Sequence, residues 1–151
     1  MTGIRRINTD FYIIMKYEEL TEKIIKAFYK VYNTLGYGFL EKVYLNALLI
    51  ELTQMGLAAT KEKKVLVYYE GQLVGDYNAD LTVENVVICE LKTSEQLYEG
   101  DENQLINYLK ATEIEVGLLL NFGKKPEVRR KVYDNERKSW QTTTFRKINT
   151  I

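Results

Sequence analysis

The chain has 151 residues, 46% of them hydrophobic, which suits one globular domain with a real core and leaves little room for a second. Lys/Arg and Asp/Glu balance at 21 each, histidine is absent and cysteine occurs once, at Cys89. These counts exclude an intramolecular disulfide, Ser-His and Cys-His nucleophile pairs and the usual histidine-containing zinc sites, so any catalysis must run on carboxylates, Lys, Tyr or Gln.

The apolar stretch from Phe11 to Met15 is too short for a membrane span or a secretory signal. With a lone cysteine expected to pack in the core, the reading is a cytoplasmic protein with no membrane partner. Leu20, Ile24, Ala27, Phe28, Val31 and Leu35 form one stripe of an amphipathic helix that Gly36 stops. A second helix is expected from about Phe39 to Met55, ended by Gly56, and apolar round most of its surface. Lys64 to Tyr69 and the alternating Leu73 to Val83 read as a hairpin across Glu70-Gly71-Gln72. Glu84-Asn85 then turns into a strand from Val86 to Lys92, placing the second and third strands side by side and antiparallel.

After a polar loop, a third helix is expected over Asp101 to Ala111, followed by an apolar strand from Val116 to Phe122. Strand, crossover helix and buried strand predict a parallel pair at the sheet centre. Beyond Gly123 the pattern weakens, and a short helix near Pro126 to Asp134 is the expectation. Residues 1–16 read as an N-terminal extension, 17–138 as the domain and 139–151 as a C-terminal tail.

Charge is unevenly distributed. Residues 1–123 hold 12 Lys/Arg against 18 Asp/Glu, whereas residues 124–151 hold 9 against 3. The basic end is either a solvated face or a phosphate-contacting arm of Lys124, Lys125, Arg129, Arg130, Lys131, Arg137 and Lys138.

The most informative segment is Val86-Val87-Ile88-Cys89-Glu90-Leu91-Lys92. Strand alternation puts Glu90 and Lys92 on the same face of an apolar run, and Asp80 closes the preceding strand. Buried charges persist only when paired, hydrogen-bonded or bound to a metal. Adjacent antiparallel strands bring Asp80 towards Glu90, and a divalent cation is one compensating partner.

Four motifs occur in order: Gly38-Phe-Leu-Glu41-Lys-Val-Tyr44, Tyr77-Asn-Ala-Asp80-Leu81, Glu90-Leu-Lys92 and Gln104-Leu-Ile-Asn107-Tyr108-Leu109-Lys110-Ala111. Together they resemble the GxxExxY protein family, which is similar to the PD-(D/E)XK nuclease superfamily, over residues 17–138 or so. The resemblance implies an α/β single domain with an αβββαβ restriction-endonuclease-like core, its mixed central sheet flanked by helices. It implies Asp80 and Glu90 as metal ligands, Lys92 as the catalytic lysine, Glu41 as a helix-borne acid and possible further ligand, and Gln104 as an accessory polar residue. The chain departs from its relatives in having no histidine near Tyr17 or Asp101, and in carrying Asn78 where they often have Arg or Lys.

The expected chemistry is Mg²⁺-dependent hydrolysis of DNA or RNA phosphodiesters, with Mn²⁺ as a substitute ion. Asp80, Glu90 and the backbone carbonyl of Leu91 would form a partial oxygen shell, with Lys92 orienting water and stabilising negative charge. The alternative is a non-catalytic nucleic-acid-binding or protein-interaction module, and a homodimer is compatible with so small a domain. Each residue also has a plain structural role open to it. Glu90 and Lys92 suit a strand-end ion pair, and Asp80 suits a turn. Glu41 suits a helix N-terminus, and Gln104 suits a capping box begun by Asp101. Tyr44 is placed to bond Glu41, and Tyr69, Tyr77 and Tyr98 are candidates for base stacking or simple packing.

Overall fold

The computed structural model describes the backbone of residues 2–138 and the side chains of residues 17–138. The expected tail, 139–151, and the side chains of the expected extension, 1–16, lie outside the described residues. Helices α1 (Thr2–Leu35) and α2 (Glu41–Gln54) precede strands β1 (Ala59–Tyr69), β2 (Gln72–Val83) and β3 (Val87–Lys92). Helix α3 (Glu99–Ala111), strands β4 (Val116–Phe122) and β5 (Pro126–Val132) and a 3-10 turn at Asn135–Arg137 follow.

The five strands form one sheet in chain order. Every neighbouring pair is antiparallel except β3 and β4, which run parallel because α3 carries the chain back across the sheet. This is the expected αβββαβ core with a mixed central sheet flanked by helices.

Each face of the sheet has its own core. Ile24, Phe28, Tyr44, Leu48 and Leu52 of α1 and α2 pack on Leu81, Cys89, Leu91, Leu118, Leu120 and Phe122. The Phe122 ring lies 4.6 Å from Phe28, edge-on, and 4.4 Å from Tyr44, stacked. On the opposite face Leu105, Tyr108 and Leu109 of α3 cover Val65, Ala79, Ile88 and Leu119. Fully burying one such aliphatic side chain stabilises by roughly 1.5–3 kcal/mol, so the sheet is fastened from both sides.

Three sequence expectations are corrected. The segment expected as a helix after Pro126 is the edge strand β5, paired with β4 from Pro126 opposite Phe122 to Val132 opposite Val116. Its charged residues obscured the alternation: Arg129 and Lys131, two apart, both reach Glu102 on α3, while Val128 packs against the opposite core. Strand β1 starts at Ala59 rather than near Lys64, because Thr60-Lys-Glu-Lys-Lys64 forms a solvent-facing edge whose charges also discourage pairing with another chain. Helix α2 is less buried than its composition implies. Tyr44, Leu48 and Leu52 are enclosed, but Leu40, Val43, Ile50 and Met55 stay exposed, since a helix laid on one layer can bury only one stripe.

Candidate functional site

The regular ladder between β2 and β3 runs from Val83–Val87 to Leu81–Cys89 and then stops. Beyond it the two acids replace main-chain pairing. The Asp80 N–H donates to Glu90 Oε1 at 2.9 Å, and the Leu91 N–H donates to Asp80 Oδ2 at 2.8 Å. Alternation in β2 breaks at the same place. Ala79 belongs to the core under α3, whereas Leu81, two residues on, belongs to the core under α1 and α2. Asp80 therefore sits where the strand changes phase, in a gap wide enough for side chains. In a strand the N–H and C=O of one residue project to the same neighbour, so the Leu91 carbonyl points the same way as the N–H that bonds Asp80.

Electrostatics follow from that enclosure. Glu90 is only 6% exposed. Burial, then the adjacent Asp80, pushes its carboxyl up to about 8, against the opposing pull of the Asp80 N–H and Lys92. Burial likewise raises Asp80, opposed by the Leu91 N–H and by Lys92. Glu41, in the first turn of α2, is exposed in area, yet surrounding protein and the nearby Asp80 raise its carboxyl, with Lys92 opposing. Asp80, Glu90, Lys92 and Glu41 thus share one electrostatic neighbourhood.

Lys92 shares the α3 face with Glu90, as strand periodicity predicts, but its ion-pair partner is different. The Lys92 ammonium lies 3.9 Å from Asp101 on α3. Asp101 also accepts the Tyr98 N–H at 3.0 Å, so the capping box expected to start at Asp101 starts three residues earlier. Gln104 is consequently released from capping and donates to the Tyr108 hydroxyl at 2.8 Å. Tyr44 does not bond Glu41. Its buried hydroxyl donates to the Gly36 carbonyl at 2.6 Å and accepts the Phe39 N–H at 3.2 Å, bracing the turn into α2.

Two residues at the site carried no assigned role in the sequence reading. Tyr108 is 5% exposed, its hydroxyl raised by burial and further by Glu90 and Asp80, with Gln104 opposing, and its ring lies 5.8 Å from Tyr77. The Gln104–Tyr108 spacing of one helical turn was the available signal. Asn121 is fully buried at the end of β4, opposite Lys92. Its amide clasps the chain just beyond β3, accepting the Ser94 N–H at 3.0 Å and donating to the Ser94 carbonyl at 2.9 Å.

A family model described as the PD-(D/E)XK nuclease superfamily matches residues 18–131. The chain belongs to the PD-(D/E)XK nuclease superfamily. No curated protein matches the sequence. A solved structure described as "Crystal structure of SSO0001" is similar at 18% identity and a TM-score of 0.42, over 89% of this chain and 66% of that one. The chain thus spans just under two thirds of that protein's length.

PD-(D/E)XK nucleases generally use divalent metal ions. Among the described residues, no group of three or more His, Cys, Asp or Glu closes into a ready-made cage. The donors at the β2–β3 gap nevertheless fit a hard cation. Asp80 and Glu90 are acceptors whose negative charge is penalised by burial, and each commits one oxygen to the backbone bonds described. A hard divalent ion favours such oxygens and retains several waters, so a cage of three side chains is not required.

The other candidates sort by position. Of the basic arm, Arg129 and Lys131 engage Glu102, Arg137 lies over the Tyr133 ring at 4.6 Å, and Lys138 donates to the Thr112 and Ile114 carbonyls. Lys124, Lys125 and Arg130 are exposed on the surface of the β4–β5 hairpin. Tyr69, Tyr77 and Tyr98 are all exposed, and Tyr77 lies beside Tyr108.

Proposed function

We propose that the chain is a GxxExxY-type member of the superfamily that hydrolyses nucleic-acid phosphodiesters with Mg²⁺, residues 17–138 being the working domain in the cytoplasm. The observation that carries this reading is the pair of buried acids, Asp80 and Glu90, occupying a strand gap beside Lys92. Asp80, Glu90 and the Leu91 carbonyl would hold the ion, with Glu41 facing them from α2. When bound, a hard divalent cation supplies charge stabilisation at the phosphoryl oxygens and lowers the pKa of an attacking water. Lys92 holds a positive charge over the same face and stabilises the negative charge that builds on phosphorus-bound oxygens. Gln104 and Tyr108 orient polar groups along the α3 side.

Purified protein is expected to cut single- or double-stranded DNA or RNA with Mg²⁺ or Mn²⁺, and Glu90→Gln and Lys92→Ala to abolish cleavage. Unchanged cleavage in both variants assigns the activity to a contaminant. A crystal soaked in Mn²⁺ should show an anomalous peak between Asp80 and Glu90.

One observation favours a second reading, a nucleic-acid-binding module without turnover: both acids already bond the opposite strand's backbone, which closes the gap without an ion. Salt-sensitive binding with no cleavage across many substrates distinguishes it.

A further inference from the structure

A cavity of about 260 Å³ opens on the α3 side of the hairpin. Val65, Ala79, Ile88 and Ile114 make its aliphatic wall, joined by Thr112, whose hydroxyl donates to the Tyr108 carbonyl and accepts the Ile114 N–H, and by the exposed Glu113. Thr82 lines it as well, 1% exposed, with a hydroxyl that has no hydrogen-bond partner among the described residues. Buried polar groups are almost always paired, so an orphan hydroxyl in a largely aliphatic wall points to a partner that the described residues do not supply. Lys63, Lys64 and Asn85 line the same cavity at its rim. Lys63 bonds Asn85 at 3.4 Å and Lys64 bonds Asp76 at 3.0 Å, both solvent-level contacts that an anion can displace.

These features select one kind of ligand. Aliphatic walls suit the faces of a flat ring, a buried hydroxyl suits a polar ring edge, and exposed ammonium groups suit a phosphate. The volume falls below the range of about 300–1,000 Å³ usual for drug-sized ligands, which leaves room for one heterocycle. An acyl chain would match the walls but leave Thr82 unpaired. Position agrees: Ala79 immediately precedes Asp80, and Ile88 lies two residues before Glu90 on the same face of β3, roughly 7 Å along the strand.

We propose that this cavity is a nucleotide subsite, taking one heterocyclic base edge-on to Thr82 with its phosphate at Lys63 and Lys64. If the base belongs to a polymer, the subsite rests on the nuclease reading and holds a base extruded beside the cleaved bond. If it belongs to a free mononucleotide, the same chemistry makes it an effector site.

The test uses the full chain in EDTA, with AMP, GMP, CMP, UMP and inorganic phosphate titrated separately and followed by amide NMR. At least one mononucleotide is expected to shift the Thr82, Ile88 and Ile114 amides, whereas phosphate alone leaves them in place. Thr82→Val, which removes the hydroxyl at constant volume, should weaken that binding roughly tenfold. Ile114→Phe, which fills the cavity from its edge, should block it. Short oligonucleotides bearing one abasic position, bound to Glu90→Gln, locate the source. A position whose loss matters in the Thr82 protein but not in the Val variant places a substrate base there, and no such position assigns the cavity to a free nucleotide. The proposal is overturned if no mononucleotide moves the cavity amides and no abasic position matters, or if Thr82→Val binds as tightly as the parent. Absence of cleavage alongside nucleotide binding overturns the nuclease reading and leaves the subsite standing.

Discussion

The Glu90 carboxylate accepts the backbone N–H of Asp80, while the Asp80 carboxylate accepts the backbone N–H of Leu91. Each acid therefore serves as the other strand's missing ladder partner. The arrangement holds two carboxyls together in a buried gap, and it carries a measurable cost when both ionise.

The first prediction concerns pH. Glu90 is raised to about 8 in the folded protein, above its ordinary value near 4.5, so the folded state retains a proton that the unfolded state has lost. Stability is then fully present below about pH 4.5 and declines as pH rises through about 8, with Asp80 and Glu41 acting in the same direction. The chain has no histidine to mask this window. Urea unfolding in EDTA should give a stability lower by a few kcal/mol at pH 8.5 than at pH 5.5, a slope that Glu90→Gln reduces. A flat or rising profile in the parent contradicts the buried-acid account.

Metal should act oppositely. Because a bound cation needs ionised oxygens, Mg²⁺ or Mn²⁺ must displace the proton held at Glu90, so affinity rises from about pH 6 to about pH 8.5. Calorimetry in two buffers of different ionisation enthalpy should report proton release on binding. Neither heat nor a rise in melting temperature is expected for Glu90→Gln.

The junction after β3 gives a third prediction. The buried Asn121 amide satisfies both backbone groups of Ser94, so Asn121→Ala strands them at a cost of about 2–4 kcal/mol. Gly123 stands so close that an added Cβ would lie 2.1 Å from the Ser94 carbonyl, and Gly123→Ala must move that loop. Both variants should lower the denaturation midpoint. Neither backbone shift can be confined to Ser94, two residues from Lys92, so cleavage should fall more than stability alone explains.

A fourth prediction separates the basic residues. Arg129 and Lys131 are held by Glu102, whereas Lys124 and Lys125 stand at the β4–β5 turn. If the turn pair neutralises phosphates, Lys124→Ala with Lys125→Ala should reduce the slope of log K against log salt by about one for each phosphate no longer neutralised. Alanine at Arg129 and Lys131 should leave that slope nearly unchanged.

Most elements were legible because burial and period agree in them: α1 has one clean stripe, β3 and β4 are apolar throughout most of their length, and Gly36 ends its helix at φ 70°. The Glu90–Lys92 face followed from the strand period alone. Other features were hidden for physical reasons. Strand β5 lies at a sheet edge and its Arg129 and Lys131 find an acid on α3, so its alternation is not one of polarity. The phase change at Asp80 leaves no trace in Leu73 to Val83, whose pattern continues unbroken although Ala79 and Leu81 face opposite cores. Gln104 matched a capping box one turn too late, because Tyr98, an unusual cap, already recruits Asp101.

The sheet order also determines when the site can come into existence. β1–β2, β2–β3 and β4–β5 are neighbours joined by short turns, so each can pair from local chain collisions. Only β3–β4 requires closure of a long loop containing α3. That same closure delivers Asp101, Gln104 and Tyr108 to the strand bearing Glu90 and Lys92. A nascent or partly unfolded chain can hold Asp80 beside Glu90 within the β2–β3 hairpin while the α3 groups are still absent. Assembly of the full constellation is thus coupled to the strand pairing that closes the longest loop, and substitutions that delay β3–β4 docking should slow recovery of activity more than recovery of β structure.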